Sequence, residues 1–132
     1  MADLEPGYEP RGRILVAEDE PHILRILITM LEAAEYEVIP TPDGGAAITR
    51  LESDEAIDLV VTDLMMPKAS GLDVLARIQS LDHRESTPVL VLTAKGQDAD
   101  REAAFTLGAH DFMTKPFSPK KLIARIDEIL HG

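Results

Sequence analysis

The sequence contains no cysteine, which excludes a disulfide framework, a thiolate metal site and a cysteine nucleophile. It is also short of positive charge: 13 lysine and arginine residues stand against 24 aspartate and glutamate residues, and the formal net charge is -11. This balance disfavours nonspecific binding to nucleic-acid backbones and to anionic membranes. The apolar runs are far too short to span a bilayer. We therefore expect a cytoplasmic protein that binds neither DNA nor a membrane by itself.

The length and composition fit one compact domain preceded by a short tail. The chain has 132 residues, of which 45% are hydrophobic and 28% charged, so it can bury a sizeable core. Residues 1–10 are acidic, contain proline and glycine, and lack the basic and apolar regions of a signal peptide. We predict a flexible N-terminal tail over residues 1–12 and one domain over residues 13–132.

Short apolar runs rich in β-branched residues alternate with longer segments of helical periodicity along this domain. The alternation is typical of an α/β fold in which helices cover both faces of a parallel sheet. The predicted strands are residues 14–17, 36–40, 57–62, 89–92 and 110–113, each followed by one helix. We expect the second strand at an edge of the sheet because it contains Pro40.

Polar side chains follow four of the predicted strands. Glu18 and Asp19 come after the first strand, Asp63 after the third, Thr93 after the fourth and Lys115 after the fifth. Ligands of an open parallel sheet bind beyond the carboxyl ends of its strands. We therefore expect three carboxylates, a hydroxyl and an ammonium to meet at one edge of the sheet.

This set of groups suits phosphoryl transfer. Two carboxylates 4 Å apart repel each other by about 4 kcal/mol at an effective dielectric of about 20, and Mg²⁺ offsets that repulsion while also engaging a phosphoryl oxygen. Lys115 can neutralise a second phosphoryl oxygen, and the Thr93 hydroxyl can donate to a third. A carboxylate can attack phosphorus, so Asp63 on the central strand is the predicted phosphoacceptor.

Each of these residues also has an ordinary structural interpretation. The acidic residues after the first strand can cap the following helix, and Asp63 can be a turn residue. Thr93 and Lys115, taken singly, can be structural or solvated. Their occurrence at the ends of successive strands favours one shared site over coincidence.

Four segments together resemble the motifs of the receiver domains of bacterial response regulators, the chemotaxis-regulator-like domains of two-component signalling. They are ILVAEDE at residues 14–20, LVVTDLMMP at residues 59–67 followed by Gly71, LTA at residues 92–94 and FMTKPF at residues 112–117. The resemblance extends from about Arg13 to the end of the chain. It implies a flavodoxin-like (βα)5 fold with strand order 2-1-3-4-5.

The resemblance also implies roles for individual residues. Asp63 would accept a phosphoryl group from a phosphohistidine of a sensor histidine kinase or histidine phosphotransferase, and Thr93 and Lys115 would contact that group. Mg²⁺ would be bound directly by Asp19 and Asp63, through water by Glu18, and by the backbone carbonyl of Met65. The protein would not be an enzyme beyond its own phosphorylation and dephosphorylation.

Phosphorylation would then act through a switch. The resemblance implies that Thr93 moves inward and Phe112 changes rotamer, which reshapes the fourth helix, fifth strand and fifth helix for partner binding or homodimerisation. Arg101, Asp111 and Arg125 lie on segments similar to the dimerisation face of transcription-factor receivers, although solvated charge explains them equally well. Two positions depart from the family: Glu18 stands where aspartate is commoner, and Phe112 where tyrosine is frequent.

Three other functions are possible for this fold, and each is disfavoured by particular residues. A dehalogenase-like phosphatase would need a second acid two residues after Asp63, where Met65 stands. A flavodoxin-like electron carrier would need a loop rich in serine, threonine and glycine after the first strand, and that loop is acidic. A receiver that no longer accepts phosphate is disfavoured by the intact Asp63, Thr93 and Lys115. The sequence leaves open whether the domain is a stand-alone regulator or carries an output domain beyond Gly132.

Overall fold

Strands and helices alternate along residues 9–94 and 98–132, which are the residues described by the computed structural model. The elements are β1 Arg13–Ala17, α1 Pro21–Ala33, β2 Glu37–Thr41, α2 Gly44–Glu52, β3 Leu59–Asp63, α3 Gly71–Ser80, β4 Val89–Thr93, α4 Asp98–Thr106, β5 Asp111–Thr114 and α5 Pro119–His131. Each predicted strand is present, with bounds that differ by no more than two residues. Within the same residues, no helix is both long and apolar enough to cross a membrane.

The strands form one parallel sheet in the order β2-β1-β3-β4-β5. This confirms the predicted flavodoxin-like α/β fold and the edge position of β2. Ala17 pairs with Thr62 on the neighbouring strand, and Asp63 pairs with Leu92 in the same way. Because the strands are parallel and in close register, the residues that follow β1, β3, β4 and β5 emerge at one edge of the sheet.

Two apolar layers lie on opposite faces of the sheet because successive strand residues point to opposite sides. One layer joins the sheet to α2, α3 and α4 through buried residues, which include Leu15, Val60, Val91, Leu51, Leu75, Ile78 and Ala104. The other joins it to α1 and α5, through residues that include Ile14, Val16, Val61, Leu90, Leu27, Leu31, Leu122 and Ile126. The central strands are therefore buried on both faces, as their nearly continuous apolar sequences predict.

Several helix termini carry well-known capping residues. Asp43 caps α2 by accepting a hydrogen bond from the backbone N–H of Ala46 at 2.7 Å, and Ser118 caps α5. Pro21 and Pro119 occupy the first positions of α1 and α5, where no N–H is needed. Gly108 follows α4 with φ +97, the left-handed conformation that ends many helices.

The predicted N-terminal tail is described only in part, since residues 1–8 lie outside the described residues. Arg11, near its end, forms an ion pair with Asp127 of α5 at 3.0 Å, and its backbone N–H donates to the Glu35 carbonyl. The Tyr36 hydroxyl donates to Asp127 as well, at 2.5 Å. Burial, followed by this hydrogen bond, raises the pKa of Tyr36 well above its usual value. These contacts join residue 11 to the end of α5.

Arg84, in the loop between α3 and β4, is only 3% exposed despite its charge. Its guanidinium donates to the backbone carbonyls of Leu51 at 2.9 Å, Ser53 at 2.8 Å and Glu55 at 2.7 Å. Carbonyls at a helix C-terminus have no partner within the helix. Arg84 supplies that partner for the end of α2 and for the loop that follows it.

We predict that Arg84→Met lowers the free energy of unfolding by about 2 to 4 kcal/mol, because it leaves the Leu51 and Glu55 carbonyls without the guanidinium donor while retaining most of the apolar stem. Urea unfolding followed by circular dichroism measures the change. The matched control is Arg77→Met, which removes an exposed arginine paired with Glu52 and should cost less than about 1 kcal/mol. Equal losses for the two variants would contradict the assigned role of Arg84.

Candidate functional site

The carboxyl edge of the sheet gathers the predicted site residues. Asp63 and Thr93 are the last residues of β3 and β4, Glu18 and Asp19 follow β1, and Lys115 follows β5. In the sheet, strand β3 lies between β1 and β4, and β5 lies next to β4. The topology thus brings together residues that are up to 97 positions apart in the chain, from 18 to 115.

Three carboxylates form the centre of the site. One oxygen from each of Glu18, Asp19 and Asp63 lies within 4.8 Å of the other two. Glu18 is 0% exposed and Asp63 is 8% exposed, so two of the three carboxylates are largely removed from water, whereas Asp19 stays accessible. Burial raises the pKa of Glu18 above its usual value, against the opposing influence of Lys115 and of the backbone N–H of Glu20. A small divalent cation with oxygen ligands fits this donor set.

Lys115 bridges two of the carboxylates. Its Nζ atom donates to Asp63 Oδ2 at 2.9 Å and lies 2.8 Å from Glu18 Oε1. The contact with Glu18 is an ion pair, and no other donor among the described residues reaches that buried oxygen. Burial lowers the pKa of Lys115, but hydrogen bonds and attraction from Glu18 and Asp63 outweigh it, so the pKa is raised. The ammonium therefore stays charged and marks where further negative charge can bind.

Thr93 is fully buried, and its hydroxyl has no hydrogen-bond partner among the described residues. An unsatisfied buried hydroxyl costs about 1–3 kcal/mol, so such groups are rare unless a ligand uses them. Thr93 follows Leu92, which is the residue paired with Asp63 across the sheet. The backbone carbonyl of Thr93 also accepts from the Lys115 N–H at 2.7 Å, which ties the two strand ends together.

The loop between β3 and α3, residues 64–70, continues directly from Asp63. Its predicted metal ligand, Met65, has a side chain that is 59% exposed. The start of α3 closes back on the acceptor strand, since the Gly71 N–H donates to the Leu64 carbonyl at 2.8 Å. A Cβ atom at Gly71 would lie 2.5 Å from the Asp63 carbonyl oxygen. Gly71 belongs to the motif recognised in the sequence, but this close approach explains why it carries no side chain.

The predicted switch residue Phe112 lies half-buried on β5. Its ring meets that of Phe105 edge to face, with centroids 4.3 Å apart, and the Arg101 guanidinium lies 5.2 Å from its centroid. Phe105 is 53% exposed and was missed in the sequence, where nothing distinguishes it from an ordinary core residue of α4. Arg125 of α5 forms an ion pair at 2.5 Å with Asp111, the residue before Phe112. Aromatic and charged side chains thus join β5 to both α4 and α5.

The sheet order and the acidic, oxygen-rich edge define the class of protein: a flavodoxin-like α/β domain with a site suited to a divalent cation and a phosphoryl group. The family model described as response regulator receiver domain matches residues 14–127. The chain therefore belongs to the response regulator receiver family, and it is a receiver domain of two-component signalling. This confirms the resemblance stated from the sequence motifs and excludes the dehalogenase-like and flavin-binding alternatives.

Curated relatives belong to the same family. The chain is 40% identical over 118 residues to the alkaline phosphatase synthesis transcriptional regulatory protein PhoP of Bacillus subtilis (strain 168), covering 89% of this chain and 48% of the relative. It is also 40% identical over 119 residues to the transcriptional regulatory protein CpxR of Escherichia coli (strain K12), covering 90% and 49%. The chain spans about half the length of these curated relatives.

Solved structures share the fold. A putative response regulator from Chloroflexus aurantiacus superposes with a TM-score of 0.85 at 28% identity, over 94% of this chain and 100% of that one. The receiver domain of the sensor histidine kinase PA1611 from Pseudomonas aeruginosa gives a TM-score of 0.84 at 26% identity, over 92% and 98%. That structure is described as having a magnesium ion coordinated in its active site cleft.

Proposed function

We propose that this receiver domain accepts one phosphoryl group on Asp63 from a phosphohistidine of a sensor histidine kinase or histidine phosphotransferase. The observation that carries the proposal is the convergence of charges around Asp63. Carboxylate oxygens of Glu18, Asp19 and Asp63 lie within 4.8 Å of one another, and the Lys115 ammonium lies 2.9 Å from Asp63 Oδ2. Such a constellation stabilises the charge that develops on a transferring phosphoryl group.

Mg²⁺ fits the carboxylate cluster because all of the available donors are oxygens. The three carboxylates and the Lys115 ammonium together carry a net negative charge, which a divalent cation neutralises. We assign direct ligation to Asp19, Asp63 and the Met65 backbone carbonyl, and ligation through water to Glu18. When bound, the ion offsets the negative charge of the phosphoryl oxygens. The longer Glu18 side chain, in place of the commoner aspartate, already reaches Lys115, so it serves both the ion and the ammonium.

Asp63 acts as the nucleophile in the proposed reaction. One of its carboxylate oxygens forms a bond to phosphorus while the bond between phosphorus and the donor imidazole nitrogen breaks, which leaves an acyl phosphate on Asp63 and a free imidazole on the donor. Lys115 then transfers its hydrogen bond from Asp63 Oδ2 to a phosphoryl oxygen. The unpartnered Thr93 hydroxyl donates to another phosphoryl oxygen, which satisfies a buried group.

The conformational change that follows phosphorylation begins at Thr93. On β4, Thr93 stands two residues after Val91, which pairs with Phe112 across the sheet, and the Phe112 ring contacts Phe105 and Arg101. We propose that drawing the Thr93 hydroxyl toward the phosphoryl group repacks Phe112 and so changes the α4, β5 and α5 surface for partner binding or homodimerisation. PhoP and CpxR are named transcriptional regulatory proteins, and we infer that the switch in this chain likewise controls transcription through a DNA-binding partner.

Acetyl phosphate provides the test because it supplies a phosphoryl group without a protein donor. The protein is incubated with acetyl phosphate and either Mg²⁺ or EDTA, and intact mass and self-association are followed together. We expect one phosphoryl group per chain with Mg²⁺ and none with EDTA. A folded protein that binds Mg²⁺ but gains no phosphoryl group would instead be a phosphate-independent binding module.

A further inference from the structure

The first turn of α2 packs against the loop that follows the acceptor strand. Gly44, the first residue of α2, is buried, and a Cβ atom added there would lie 2.0 Å from the carbonyl oxygen of Ala69 and 2.6 Å from its carbonyl carbon. The obstruction is backbone and not the movable end of a side chain. No residue other than glycine fits at position 44 unless the loop between β3 and α3 moves away.

A second contact joins the same two segments. Asp43 caps α2 with Oδ1, and its Oδ2 lies 3.8 Å from the Nζ atom of Lys68 in the loop. Lys68 has φ +69, in the left-handed region, and the next residue, Ala69, donates its N–H to the Pro67 carbonyl at 2.8 Å. The loop therefore turns tightly at the point where it contacts α2. At that point Gly44 permits the loop backbone to approach α2 closely.

The turn that leads into α2 also contacts the other acidic segment of the site. The Thr41 carbonyl accepts a hydrogen bond from the backbone N–H of Glu18 at 3.1 Å, and the Thr41 hydroxyl, which is buried, donates to the Val16 carbonyl at 2.8 Å. We call residues 41–44 the β2–α2 corner. The corner contacts Glu18, the first residue of the acidic loop after β1, and it also contacts the loop after β3. It therefore contacts both loops that adjoin the carboxylate cluster.

We propose that Gly44 is a positioning residue for the metal site: by having no side chain, it lets the loop between β3 and α3 close down and sets the position of the Met65 carbonyl relative to Asp63. This inference rests on the proposed function, in which both groups bind Mg²⁺. Asp63 itself belongs to a central strand held by β1 and β4 and is not expected to move. Displacing the loop should therefore weaken metal binding and leave the nucleophile in place.

Gly44→Ala tests the inference through Mg²⁺ binding. Groups that position metal ligands typically change metal affinity by 10–100-fold when they are altered, so we expect the dissociation constant for Mg²⁺, measured by calorimetry, to rise about tenfold. The Mg²⁺ concentration that gives half the maximal rate of phosphoryl uptake from acetyl phosphate should rise in parallel. The rate at saturating Mg²⁺ should stay near that of the wild type. A merely structural defect would lower the melting temperature without shifting these Mg²⁺ concentrations.

Gly45→Ala is the matched control, since it makes the same substitution one residue later in the same helix. Its Cβ atom would lie 3.6 Å from Lys68 Cβ, an ordinary contact, and 3.2 Å from Asp43 Oδ1, a tight contact that a shift of a few tenths of an ångström in the Asp43 side chain relieves. We expect its Mg²⁺ affinity to remain within about twofold of the wild type. If Gly44→Ala does not fold, Ala69→Gly provides a second variant. This variant removes the Ala69 Cβ atom, keeps the carbonyl that faces Gly44 and frees the loop backbone, so it should raise the dissociation constant by about threefold.

The outcomes separate this inference from the proposed function. A wild-type protein that binds Mg²⁺ and accepts a phosphoryl group, together with an unchanged dissociation constant in Gly44→Ala, would overturn the role of Gly44 alone. An equal rise of the dissociation constant in Gly45→Ala would also overturn the role of Gly44. If Gly44→Ala does not fold, an unchanged dissociation constant in Ala69→Gly would overturn it. A wild-type protein that binds no Mg²⁺ would overturn both proposals. A wild type that binds Mg²⁺ without phosphoryl uptake would overturn only the acceptor chemistry, because calorimetry needs no phosphoryl donor.

Discussion

Asp63→Asn is expected to abolish phosphoryl uptake, with a rate at least about 10³-fold below that of the wild type. The amide has the shape of the carboxylate but no ionised oxygen, so it cannot form the bond to phosphorus. The fold should persist, because the substitution also removes one of three mutually repelling carboxylates. Intact mass after incubation with acetyl phosphate and Mg²⁺ measures the uptake, and thermal unfolding followed by circular dichroism measures the stability.

Asp82→Asn is the matched control for this prediction. Asp82 lies exposed between α3 and β4, and the same substitution there should leave the rate of uptake unchanged. If Asp63→Asn took up phosphate as fast as the wild type, the acceptor would be a different residue, and the neighbouring Asp19 would be the first candidate. If Asp63→Asn loses both phosphoryl uptake and its folded structure, the comparison is repeated with Asp63→Glu. That variant keeps a carboxylate but places it further from the backbone.

Lys115→Met should slow phosphoryl uptake by about 10² to 10³-fold, the usual effect of removing one donor that stabilises developing negative charge. The same variant should bind Mg²⁺ more tightly than the wild type. In the structure the ammonium lies 2.9 Å from Asp63 Oδ2 and 2.8 Å from Glu18 Oε1, so it competes with a metal ion for the same oxygens. Opposite effects on rate and on metal affinity are not expected from a general loss of structure.

Calorimetric titration with Mg²⁺ and time courses of intact mass give the two quantities for Lys115→Met. Lys120→Met serves as the control because Lys120 is exposed on the first turn of α5, and it should change neither. Weaker Mg²⁺ binding in Lys115→Met would contradict the competition between ammonium and metal. An unchanged rate of uptake would contradict the role of Lys115 at the phosphoryl group.

Much of this site was predictable because its residues stand at the ends of strands. Val60 and Val61 belong to a continuous apolar run, which predicts a strand covered on both faces and so fixes where Asp63 emerges. The parallel topology then brings together residues that are distant in sequence. The pairing of Lys115 with both Glu18 and Asp63 was not predictable in this detail, since it depends on side-chain conformations within a crowded cluster.

Other features depend on tertiary contacts that leave no signal in a single sequence. Arg84 stands in a polar loop and resembles any solvent-exposed arginine until the end of α2 places three carbonyls around it. Gly44 and Gly45 are equivalent in the sequence, and only the approach of the Ala69 backbone distinguishes them. Phe105 has the hydrophobicity of a core residue but lies exposed beside Phe112. In each case the partner comes from a different part of the chain.

The position of the phosphoryl group within the chain can be determined chemically, and it decides whether Asp63 is the acceptor. Borohydride reduces an acyl phosphate to an alcohol, so treating the protein after incubation with acetyl phosphate and Mg²⁺ and sequencing its peptides by mass spectrometry identifies the acceptor. We expect homoserine in place of aspartate at position 63 alone, and only when Mg²⁺ is present. Homoserine at any other position, or a phosphoryl group that is stable to borohydride, would contradict this expectation.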